Sequence, residues 1–154
     1  MRRSLMTMLA LAIAVSAMAI RPVRAQQAPA PAAPAQRQFN GDGGIILIYV
    51  KPEKTADFEG AMQRVKEALM KSEKPERKQQ AASWKLFKAG AGAAGQVYAV
   101  VISPSVKNVD YSLGSILTDG LPQEARTIYQ AYADSLAAQP QVVIPMDLVS
   151  DFSK

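Results

Sequence analysis

Trp84, Tyr98 and Tyr111 are the side chains whose types best suit contact with a small molecule. An indole can wall a pocket, and a phenol can donate a hydrogen bond into one. Packing in the core or a dimer interface is the preferred reading for Trp84, and a buried ring with a solvated hydroxyl is the preferred reading for each tyrosine. Lys85 and Lys88 alternate with Trp84, Leu86 and Phe87, so they can attract an anion or simply solvate a strand edge, the latter being favoured. Other reactive chemistry is scarce. The chain has no histidine and no cysteine. That removes the commonest general base, the commonest zinc ligand, thiol nucleophiles and thiolate metal sites. Ser103 and Ser112 therefore have no histidine base, and no Gly-x-Ser-x-Gly occurs. Asp110 and Asp119 read as cap and turn residues, and Asp147 and Asp151 as exposed ones. No carboxylate pair stands out for acid–base work, a metal site built from these acids would be weak, and no cofactor is expected.

The elements that must position these residues are legible from patterning. Ile45 to Val50 is a short, β-branched apolar run, broken before by Gly41-Asp42-Gly43-Gly44 and after by Lys51-Pro52; it predicts a strand. A helix follows, with Thr55 as its N-cap and Phe58, Met62, Val65 and Leu69 on one stripe. Pro75 stops it near Lys74. Lys71 to Gln80 carries charges of both signs and reads as a solvated loop or frayed helix rather than an anion-binding patch. Ser83 to Ala89 is a second strand and Val97 to Ile102 a third. The glycine-rich Gly90 to Gly95 between them precedes a strand and lacks a following Gly-Lys-Ser/Thr, so it predicts a hairpin turn and not a phosphate loop. Asp110 caps a short helix through Leu117, broken by Asp119-Gly120. Pro122 starts a second long helix with Ala125, Ile128, Tyr132 and Leu136 on its stripe. Val142 to Val149 is the last strand, and Pro145 within it argues for an edge or a bulge.

The N-terminus speaks of destination. Met1-Arg2-Arg3 is basic, Leu5 to Ile20 is almost wholly apolar, and Val23-Arg24-Ala25 offers a small-x-small site before Gln26. This is the pattern of a secretory signal peptide over residues 1–25, with an uncleaved anchor as the alternative reading. Export through the twin-arginine route is the lesser alternative to an ordinary signal. Absence of cysteine excludes a lipobox. Residues 26–40 form an Ala/Pro-rich leader expected to stay outside the core, and residues 41–154 form one small domain. The chain has 18 basic and 13 acidic residues, and Arg2, Arg3, Arg21 and Arg24 precede the predicted cut. The processed chain is thus almost neutral and gives no warrant for a nucleic-acid partner; no stable membrane anchor is expected after cleavage.

The order β-α-β-β-α-β, with an extra short helix before the second long one, is the ferredoxin-like order: an α+β fold with an antiparallel sheet and its helices on one face. Two long helices cover one face only, yet the first and third strands are apolar on both. Ile46 and Ile48 oppose Ile45 and Leu47 on the first strand; Val100 and Ile102 oppose Val97 and Val101 on the third. Leaving one such face wet forfeits about 1.5–3 kcal/mol per large side chain. A homodimer is therefore expected, with Ile46, Ile48, Val100 and Ile102 as candidates for the dimer face. An apolar ligand, the leader, or a different protein on that face are the alternatives.

Val50 to Glu59, Trp84 to Lys88 and Tyr98 to Val101 resemble the dimeric α+β barrel superfamily, nearest its antibiotic-biosynthesis-type monooxygenase branch. The resemblance covers about Gly44 to Val149 and implies two ferredoxin-like subunits packed sheet to sheet, each with a small-molecule pocket between sheet and helices. Haem-binding members generally use a histidine ligand, which this chain lacks. Cofactor-free oxygenation in that superfamily would need an electron-rich substrate in a dry pocket beside polar groups; Trp84 and Asn108 are of the right types for it, and Tyr98 and Tyr111 complete the candidate pocket. The expectation is an exported homodimer, structural or binding a small apolar or aromatic molecule without catalysis. A cofactor-independent monooxygenase-like enzyme is the alternative, and a protein-interaction module the next.

Overall fold

Alternation along two central strands decides where the core lies. A computed structural model describes residues 37–139 and 141–153, all within one compact unit. The expected signal peptide and most of the leader lie outside the described residues. Gly43–Val50 forms β1, Trp84–Gly92 β2, Gly95–Ile102 β3 and Val142–Met146 β4. They make one four-stranded antiparallel sheet in the order β2-β3-β1-β4. With four helices this is an α+β fold, compatible with a ferredoxin-like arrangement. Pro145 sits on the edge strand β4, where a missing N–H is tolerated.

Helix α1 spans Thr55–Lys71 and turns Phe58, Ala61, Met62, Val65, Ala68 and Leu69 inward. A single 3₁₀ turn over Pro52–Lys54 feeds it, so Thr55 begins the helix and makes no side-chain cap. Phe58 stacks between Tyr98 and Tyr132, with ring centroids 4.5 and 5.9 Å away, and so ties α1 to β3 and to α4, which spans Ala125–Ser135. Helix α4 starts three residues after the expected Pro122. Its end is stitched to β1 by Lys51 N donating to the Ser135 carbonyl at 2.9 Å and Ala137 N to that of Tyr49 at 2.9 Å.

Two local expectations give way to tertiary contacts. The charged stretch after Pro75 is a second helix, α2, over Pro75–Ser83, and the proline that ends α1 opens α2 from its first turn. The short helix α3 is Leu113–Gly120, so Asp119-Gly120 completes it instead of breaking it. Residues 37–40, at the end of the expected leader, pack on the domain: Phe39 is buried, edge-on to Tyr111 at 5.2 Å, and Arg37 N donates to Asp110 Oδ1 at 2.8 Å.

The face expected to pair with a second copy is the one that packs against the helices. Ile46, Ile48, Val100 and Ile102 are buried beneath the helices, at 2, 3, 0 and 0% exposure. Periodicity of two places alternate residues together but cannot say which set meets the helices when both sets are apolar.

Gly120 is where α3 touches α1. A Cβ there would sit 1.9 Å from the Ala68 carbonyl oxygen. Gly120→Ala is expected to force the helices apart and cost about 2–3 kcal/mol in urea denaturation. On the same helix nothing lies within 4 Å of a Cβ at Gly114, so Gly114→Ala is the control and should be neutral or slightly stabilising.

Candidate functional site

Helix α2 runs into β2 without a loop, so whatever anchors α2 also places Trp84. The anchor is Arg77, 3% exposed. Its Nε and Nη2 donate to Asp119 Oδ2 at 2.8 and 2.7 Å, and Nη2 also donates to Ser115 Oγ at 2.7 Å. Its Nη1 donates to Gln80 Oε1 at 2.8 Å and to the Asp110 carbonyl. Gln80, fully buried, donates to the same carbonyl at 3.2 Å. A guanidinium removed from water needs this many acceptors, and they come from α2, α3 and the segment before α3. Burial pushes the Asp119 carboxyl up, but hydrogen bonds from Lys74 and Arg77 and their charge outweigh it and hold the group below its ordinary 3.8.

With Arg77 and Gln80 turned inward, the other flank of α2 presents Lys78, Ala81 and Ala82 towards α1. Between them lies a groove of about 560 Å³, within the range of small-molecule sites. Met62, Val65, Leu69 and Met70 of α1 form one wall, and Trp84 and Leu86 of β2 another. Its polar side chains, the Trp84 indole aside, are Gln63, Lys66 and Lys78. These supply apolar contact and hydrogen-bond donors. The lining holds no carboxylate, hydroxyl or imidazole; its donors are amide and amine N–H groups beside apolar walls.

Of the four pocket candidates, Trp84 alone lines this groove. Its Nε1 is buried with no hydrogen-bond partner among the described residues. Tyr111 packs behind it, ring centroids 6.0 Å apart, but is wholly buried, and its hydroxyl accepts from Val106 N at 2.7 Å. Tyr98 is a core residue. Its hydroxyl donates to Glu59 Oε1, which also accepts from Lys88 Nζ at 2.9 Å. Burial, then the bond to Glu59, raises the Tyr98 phenol; its bond and that of Lys88 lower Glu59. Asn108 is exposed at φ 60°, a left-handed position that asparagine tolerates, and it serves a turn away from the groove.

The second surface is the sheet face that no helix among the described residues covers. Register places Ile45, Val101, Ile144 and Lys85 in one row, and Leu47, Ala99, Val142 and Phe87 in the next; Tyr49 and Val97 follow. Phe87 is 51% exposed, Ile144 42% and Val142 38%. Lys85, on the edge strand, is the only charged side chain among these ten. Sequence reasoning missed Arg77 and Gln80, taking their stretch for a solvated loop or frayed helix. Pro75 followed by Gln79-Gln80-Ala81-Ala82 is a usable helix signal, and Arg77 and Gln80 share a helical face at i, i+3.

Compared with models of known protein families and with the curated proteins, the chain matches none.

Because the folded Asp119 titrates below its ordinary value, its contribution to stability is complete above 3.8 and is lost as pH falls through the lower folded value. Asp119→Asn should lower the urea midpoint at neutral pH and flatten the loss of stability below about pH 4 relative to the wild type.

Proposed function

We propose that this protein is an exported, non-catalytic homodimer of ferredoxin-like subunits that pair their open sheet faces in the manner of a dimeric α+β barrel, and that each subunit holds a small apolar molecule in the α1–α2–β2 groove. The observation that carries the reading is the open face, apolar across all four strands and interrupted only by Lys85 at an edge. A second copy is the occupant with the same chemistry and the same twist, and its face buries like against like. The strand order β2-β3-β1-β4 supports the ferredoxin-like assignment. The groove lining, without acid, hydroxyl or imidazole, supports binding over the oxygenase reading. Export rests on the basic, apolar and small-x-small pattern of residues 1–25.

Expressed with its own signal and recovered from the exported fraction, the protein should begin at Gln26 and elute in light scattering with the mass of two chains. Leu47 lies mid-face on a central strand, where a lysine can reach water in the single subunit but not in the pair. Leu47→Lys should therefore leave the far-ultraviolet spectrum intact and halve the mass. A wild-type monomer at micromolar concentration overturns the paired-sheet reading, and retention in the cell with an uncut N-terminus overturns export.

A further inference from the structure

Both charges lining the groove are positive, and neither is used by the fold. Lys66 reaches it from α1 and Lys78 from α2. Both are exposed, and neither makes an ion pair among the described residues, whereas neighbouring Lys71 and Lys74 pair with Glu67 and Asp119 at 2.6 and 2.8 Å. The walls are aliphatic and thioether groups with one indole. Methionine side chains such as Met62 and Met70 adapt to flexible chains better than to a single rigid outline.

We propose that the groove takes a fatty carboxylate, its hydrocarbon chain along Met62, Leu69, Met70 and Trp84 and its carboxylate at Lys66 and Lys78. The proposal names the ligand class for the binding role assigned above and is independent of the pairing of sheets. Two ammonium groups at an apolar groove leave a charge excess that an uncharged ligand would not satisfy. An aliphatic monoanion meets both features: its chain removes the methionine and leucine surface from water, and its head accepts charge-assisted hydrogen bonds. An aromatic ligand would find a single ring to stack on.

Trp84 is the only tryptophan of the chain, so its emission reports on the groove directly. Full-length processed protein is titrated with dodecanoate, and separately with dodecanol, below the concentrations at which either aggregates. A saturable shift in Trp84 emission is expected for both, with the carboxylate bound about tenfold more tightly. Lys66→Gln/Lys78→Gln, both at exposed positions, should abolish that preference by weakening the acid, with dodecanol affinity changing far less. Ala82→Phe, which fills the groove from α2, should weaken both ligands. The proposal is overturned by an emission that does not change, by equal affinity for acid and alcohol in the wild type, or by a preference for the acid that survives the double substitution. Light scattering on the same samples separates the two readings: a dimer that fails to bind dodecanoate removes the ligand and keeps the paired sheets, and a monomer that binds it does the reverse.

Discussion

Two central strands, β1 and β3, carry apolar side chains on both faces, and the helices among the described residues cover one. Much of the architecture follows from that mismatch. The covered face takes Ile46, Ile48, Val50, Tyr98, Val100 and Ile102 out of water beneath α1, α3 and α4. The uncovered face keeps Ile45, Leu47, Val97 and Val101 only half-buried, with Phe87, Val142 and Ile144 more exposed at the edges. Isolated surface hydrophobics need no explanation, but a contiguous apolar face spanning a whole sheet does. The proposed sheet-to-sheet pairing answers it with the same hydrophobic burial that holds the helices to the other side.

A second dependence runs through Arg77. Burying a guanidinium is unfavourable unless its donors are met, and its five hydrogen bonds reach four acceptor atoms, three of them on residues more than thirty positions away. Meeting them fixes α2 against α3 and sets the direction in which the chain enters β2. The groove is the other side of that arrangement. Because Arg77 and Gln80 point into the protein, Lys78, Ala81 and Ala82 point across to α1, and Trp84 closes the end. A polar network that looks purely structural thus shapes the one concave apolar surface on which Trp84 lies.

Tyr98, Tyr111 and Asn108 show how residue type alone misleads about sites. The two tyrosines satisfy their hydroxyls internally, at Glu59 and at Val106 N, and their rings fill the core. Asn108 answers a backbone requirement at positive φ. Both tyrosine rings are buried, whereas the hydroxyls, expected in water, are bonded within the protein. Trp84 does both jobs, with its ring against Tyr111 on one side and the groove on the other.

Short-range physics made much of this protein legible from its sequence. Runs of β-branched residues located β1, β3 and β4, stripes at helical spacing located α1 and α4, and Pro145 marked an edge, because each signal depends on neighbours a few positions away. The absence of histidine and cysteine bounded the chemistry for the same local reason. Only the tertiary structure decided which face of the sheet is core, since alternation is silent when both sets of residues are apolar. It alone turned a charged stretch into a helix with a buried arginine, because all but one of the acceptors that make such burial tolerable lie more than thirty positions along the chain. The groove between α1, α2 and β2 belongs to that second class: its wall residues are unremarkable one by one, and only the packing of three elements brings them and two lysines to a common surface.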